Sequence, residues 1–135
     1  MKRYAAVPVL LIAAMCVQAC NTTNVRKNTY KMLGSYAVAV ETGADLAEDP
    51  AIPAEVVDGI KAAKDIASPA VRGLHANLTA YTDLQDQIDG IRAAGGEPSE
   101  AMLAQVQAAL AALQQSRIDT APLIAELIAA INRSF

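Results

Sequence analysis

Few residues in this 135-residue chain have types and spacings that could do chemistry. His75 is the only histidine. On a helix its neighbours three and four positions away are Val71, Arg72, Leu78 and Thr79. None of these completes a metal site or orients an imidazole for proton transfer, so a structural place beside an apolar seam is expected. Asp83, Asp86 and Asp89 recur every three residues and partly share a helix face, where oxygen ligands could draw a hard cation. The loop spacing of a calcium-binding helix-loop-helix is absent, and a solvated acidic face is the expectation. Ser35 follows Gly34 but lacks a Gly-x-Ser-x-Gly elbow. Gly95-Gly96 is followed by Glu97, whose charge would repel a phosphate. The inventory offers no nucleophile with a base, no metal set and no phosphate cradle. It points away from an enzyme and implies no cofactor.

The two cysteines, Cys16 and Cys20, sit in a different kind of pattern. Lys2 and Arg3 precede an apolar run over residues 5–17, which ends in Val17-Gln18-Ala19-Cys20. A charged start, a short hydrophobic stretch and small residues before a cleavage point describe a secretory signal. The run is too short for a membrane-crossing helix, which needs about 20 residues. The tetrapeptide resembles the lipobox of bacterial lipoproteins, with an aliphatic residue at the third position before cleavage and a small one just before the cysteine. Gln18 is larger than the residue usual at that tolerant position. Cys16 follows the bulky Met15 and fits the motif less well.

The resemblance covers residues 1–20 and implies processing, not activity. It implies removal of residues 1–19 as a signal peptide and a diacylglyceryl group on the Cys20 thiol, with fatty acylation (commonly palmitate) of the new amino terminus. A tether over residues 20–24 and a domain over 25–135 would follow. Because Asn21 is not the aspartate that retains lipoproteins in the inner membrane of enteric-type bacteria, the resemblance implies the outer membrane, facing the periplasm. The inner membrane and the cell surface stand as alternatives. A single acyl chain binds a bilayer only marginally, so several chains would matter for stable anchoring. Lipidation would also remove the one thiol left after cleavage, a liability in an oxidising compartment.

Charge narrows the partners. Without Lys2 and Arg3, nine basic residues face fourteen acidic ones, and three of the nine, Arg26, Lys27 and Lys31, lie next to the tether. These three could meet anionic headgroups at up to ~1 kcal/mol each, or simply form a solvated helix start. The remainder, six basic against fourteen acidic, excludes the basic surface that nucleic acid requires.

Twenty-four of the residues from Cys20 onward are alanine, with Trp absent and Phe135 the only phenylalanine, so an almost wholly helical domain is expected. A first helix over residues 24–48 would present Leu33, Ala37, Val40, Ala44 and Ala47, with Tyr30 and Tyr36 on the shoulders. Asp49-Pro50 and Pro53 would end it. A second, over 53–94, carries the stripe Ile60, Lys64, Ala67, Val71, Leu74, Leu78, Tyr81, Gln85 and Ile88, in phase across Pro69, so the helix is expected to continue there with a kink. Gly95-Gly96 stops it and Pro98-Ser99 starts a third, over 99–133, with Leu103, Val106, Leu110 and Leu113, then Leu123, Ile124, Leu127, Ile128 and Ile131. Asp119 or Thr120 could cap a new turn before Pro122. Short connections favour antiparallel neighbours. The expected fold is all-α: an up-down-up three-helix bundle with kinked second and third helices, or four or five helices if the prolines break them.

The least ordinary stretch is residues 101–116, which carry no charge. Behind its leucine seam lie Ala101, Ala104, Gln105, Ala108, Ala111, Ala112 and Gln115, a small, uncharged face that another helix could approach closely. Burial inside its own bundle and contact with another chain are both open on this pattern. The sequence thus points to a membrane-tethered module acting through a protein partner or as a homo-oligomer. The alternative is a carrier holding an apolar ligand between helices.

Overall fold

The computed structural model describes residues 24–135; the lipobox and Cys20 lie outside the described residues. Three helices follow in order: α1 (Val25–Glu48), α2 (Ala54–Ala93) and α3 (Glu100–Asn132). They form the expected all-α, up-down-up bundle. Both α2 and α3 run unbroken through Pro69 and Pro122, so the count stays at three.

The turns that reverse the chain are built locally. At the end of α2, Gly95 has φ +81°, and the Gly96 N–H donates to the Ile91 carbonyl at 2.9 Å while Gly95 N–H donates to Arg92 at 3.0 Å. That pair of bonds is a Schellman stop, which requires a left-handed residue where glycine is placed. Three residues on, Ser99 accepts the Met102 N–H at 3.1 Å and caps α3, with Glu100 in its first turn. Between α1 and α2, the Asp49 carboxylate accepts the Ala51 N–H at 2.8 Å, and Pro53 opens α2.

The α2 stripe is as the spacing predicts. Ile60, Ala67, Val71, Leu74, Leu78, Tyr81 and Ile88 are buried, and only its two polar members, Lys64 and Gln85, reach solvent. The buried members other than Ala67 pack with Val106, Leu113, Ile124, Leu127, Ile128 and Ile131 of α3 in one core.

Two expectations are corrected. The α1 stripe is turned by one residue, about 100°. Its buried positions are Val25, Asn28, Thr29, Met32, Ser35, Ala39, Thr42, Gly43 and Leu46, whereas Ala37, Ala44 and Ala47 are exposed and Leu33 and Val40 only half-buried. The heptad is regular but half polar. Thr29 and Thr42 can enter it because their hydroxyls donate to the Val25 and Val38 carbonyls at 2.7 and 2.9 Å, which satisfies them within the helix. On α3, Leu103 is 38% exposed and Leu110 half-buried. The reason is length. At 24, 40 and 33 residues the helices measure about 36, 60 and 50 Å. Arg26, near the start of α1, contacts Gln85 and Asp86. The α2–α3 hairpin therefore runs about 12 Å beyond α1, and its far end has two helices to pack rather than three.

Gly43 marks the closest approach of α1. A Cβ there would meet Ile60 Cγ2 at 2.9 Å and Ile131 Cδ1 at 4.0 Å, whereas nothing lies within 4 Å of one at Gly34 or Gly90. Gly43→Ala should therefore lower stability by about 1–3 kcal/mol, since the atom it meets is on the stiff β-branch of Ile60 rather than at the end of a flexible chain. Gly34→Ala should raise it by about 0.5–1 kcal/mol. Leu74→Ala, at a fully buried seam position, should cost about 2–5 kcal/mol. Denaturant unfolding of the three variants checks all of these.

Candidate partner surface

The uncharged face of α3 is left uncovered by the bundle. Ala101, Ala104, Gln105, Ala108, Ala111, Ala112 and Gln115 are all exposed. The helix is held by its opposite side, through Val106, Leu113, Arg117, Thr120 and Ile124. Because Arg117 is buried, the exposed surface of α3 carries no charge from residue 101 through Ile118. Ala104, Ala111 and Ile118 stand seven apart on one outward line, and Ile118 is 63% exposed. Small side chains at heptad spacing allow another helix to come close, and a protruding Ile gives it an apolar anchor.

Beside this line, an open groove of about 400 Å³ runs between α2 and α3, lined by Ala70, Gly73, Asn77, Ala112, Ser116 and Thr120. Small residues on both walls make it shallow. Asn77, Ser116 and, at its rim, Gln115 and Asp119 make it partly polar. It is a surface furrow rather than an enclosed apolar chamber.

The basic trio at the tether end is divided. Arg26 is half-buried and its guanidinium donates to the Gln85 carboxamide at 3.5 Å and lies 3.8 Å from the Asp86 carboxylate. An exposed pair of this kind contributes about 0–1 kcal/mol. Lys27 and Lys31 are exposed. Asp83, Asp86 and Asp89 are also exposed, and Asp86 already has a cationic neighbour. Among the described residues, no group of three His, Cys, Asp or Glu side chains could hold a metal ion. His75 faces solvent while Ser35 is buried in the α1 seam, so the two are not paired.

Two polar features were missed from the sequence. One is Arg117, which is 4% exposed in the α3 seam with its Nε lacking a hydrogen-bond partner. Burial pushes its guanidinium below the ordinary arginine value, and no carboxylate among the described residues offsets this. The spacing of Leu113, Arg117, Thr120 and Ile124 was the available signal, because it continues the seam across the gap between the two leucine groups.

The other feature lies at Pro69. Proline has no N–H, so the Asp65 carbonyl loses its helical donor. One residue before, the Ser68 hydroxyl donates to the Lys64 carbonyl at 2.9 Å, which leaves its oxygen to accept from Tyr36 Oη at 2.6 Å. A tyrosine on α1 thus clamps the proline turn of α2. Nearby, Thr120 Oγ1 reaches the Ala70 carbonyl from α3 at 3.4 Å.

No family model, curated protein or solved structure matches this chain.

Tyr36→Phe and Ser68→Ala should each lower stability by about 0.5–1.5 kcal/mol. The double variant should lose less than the sum, because each removes the same bond. A double-mutant cycle in denaturant reads this directly.

Proposed function

We propose that this chain is a lipid-anchored helical module of the bacterial envelope that works by protein contact, as a scaffold, an accessory subunit or a self-assembling element. The observation that carries the reading is the long uncharged face of α3, exposed in the single chain and centred on Ala104, Ala108 and Ala111. An exposed helix face normally carries charge, and this domain is otherwise rich in acidic residues. Tethering supports the same reading. α1 starts at the projecting hairpin end of the bundle, so an anchor at Cys20, five residues before Val25, would hold that end and the uncharged face near a bilayer. Among the described residues no helix is long and apolar enough to cross a membrane, so attachment would rest on the lipid. The outer membrane, facing the periplasm, is the proposed residence.

Two experiments test this. Cys20→Ser should abolish lipid labelling and lipoprotein-type cleavage; labelling that survives would remove the anchor. Ala104→Glu or Ala108→Glu should leave folding intact, because a charge on an exposed helix face shifts stability by only a few tenths of a kcal/mol. At a contact with another chain the same charge would be desolvated at a cost of several kcal/mol, so a crosslinked complex or oligomer should disappear. Association unchanged in both variants would contradict the assigned face.

A further inference from the structure

The three helices do not hold one another equally. All seven buried positions of α2 are apolar, and so are seven of the nine on α3. Of the nine on α1, five are Asn28, Thr29, Ser35, Thr42 and Gly43, leaving Val25, Met32, Ala39 and Leu46 as its apolar anchors. Ser35 Oγ is buried without a hydrogen-bond partner.

Arg117 sits on the same weak contact. Ile131 comes close to Gly43, so that edge of α3 faces α1. Arg117 is two heptads before Ile131 on the same edge, and two heptads before Gly43 on the parallel α1 is Thr29. The guanidinium is thus held against the α1 seam, at about the level of Thr29, with an unpartnered Nε and no carboxylate. A buried guanidinium N–H without a partner raises the free energy of the state that buries it. Here that state is the docked position of α1.

The connection is held by local bonds. Residues 49–53 contain Pro50 and Pro53, and their bonds, Ala51 N–H to the Asp49 carboxylate and Ile52 N–H to the Asp49 carbonyl, are local and survive if α1 leaves. The hairpin keeps its own Schellman stop and Ser99 cap. Opposing release are the four apolar anchors, the Tyr36–Ser68 hydrogen bond and the contacts of Arg26 with Gln85 and Asp86.

We propose that α1 is a releasable strap. It undocks as a unit from a persistent α2–α3 hairpin, pivoting on residues 49–53, and its largely polar seam, with the unpartnered Arg117 Nε beside it, keeps its docking weak. Where Cys20 carries the anchor, as proposed above, release would convert α1 into a tether between membrane and hairpin, and because most helical stability in a protein comes from tertiary packing, its amides would then open to exchange. The strap itself does not depend on the anchor, and neither does its test.

Native-state hydrogen exchange on the full chain separates the helices, because a unit that opens on its own exchanges ahead of global unfolding. The amides of the α1 interior should exchange at least about tenfold faster than those at the α2–α3 seam. Gln114→Glu places a carboxylate three residues before Arg117 on the same helix, from a half-buried position, and leaves the arginine itself in place. Supplying that partner should slow α1 exchange by about tenfold, the scale of one hydrogen bond to a charged group, with the seam amides unchanged. Arg117→Met should do the same by removing the unpartnered donor. Exchange of α1 together with α2 and α3 as one unit would overturn the proposal. So would Gln114→Glu leaving α1 exchange unchanged.

Discussion

The seam between α2 and α3 is the interaction on which the rest of this molecule depends. Leu74, Leu113 and Leu127 are wholly buried there and Ile124 almost so, and the two helices are joined by a six-residue turn with both ends fixed by local hydrogen bonds. A left-handed Gly95 and a capping Ser99 fix the reversal through local hydrogen bonds, so the apolar stripes meet in register at little cost in loop entropy. α1 packs against this hairpin and completes the core. It is the shortest helix, and its seam is closed by small and polar residues.

How much could be read in advance follows the same division. The α2 stripe was legible across Pro69 because its apolar members keep a three-and-four alternation, and proline only removes one donor from an otherwise intact ladder. The ends were legible too, since Gly95-Gly96 and Ser99 have few other uses in that order. The α1 seam was not, because a search for apolar spacing passes over Thr29, Ser35, Thr42 and Gly43. Two of these satisfy their hydroxyls on the preceding turn, and Gly43 serves close approach rather than burial. Arg117 was hidden for a related reason: a charged side chain ordinarily belongs on the surface, although its position continues the α3 seam. Leu103 failed in the opposite sense. It lies in phase, but on the part of the hairpin that has no third helix beside it.

Function is less legible than fold, because among the described residues no group of three His, Cys, Asp or Glu side chains could hold a metal ion and so direct the reading. What the three-dimensional arrangement adds is the side of α3 on which the charge-free stretch falls. With the seam residues turned inward, the alanines and glutamines point away from the bundle, and Ile118 extends the same line. The groove beside it is open and partly polar, which suits the edge of a contact surface better than an apolar ligand's chamber.

The central claim is that this face meets another protein. It is tested most directly by placing a photo-crosslinking amino acid at Ala108 and, as a comparison, at Asp65, both exposed in the single chain but on different helices. Irradiated in intact envelopes, the probe at 108 should give a discrete adduct of higher mass, and the probe at 65 should give none. Absence of an adduct from 108, or the same adducts from both positions, would contradict a specific contact surface on α3.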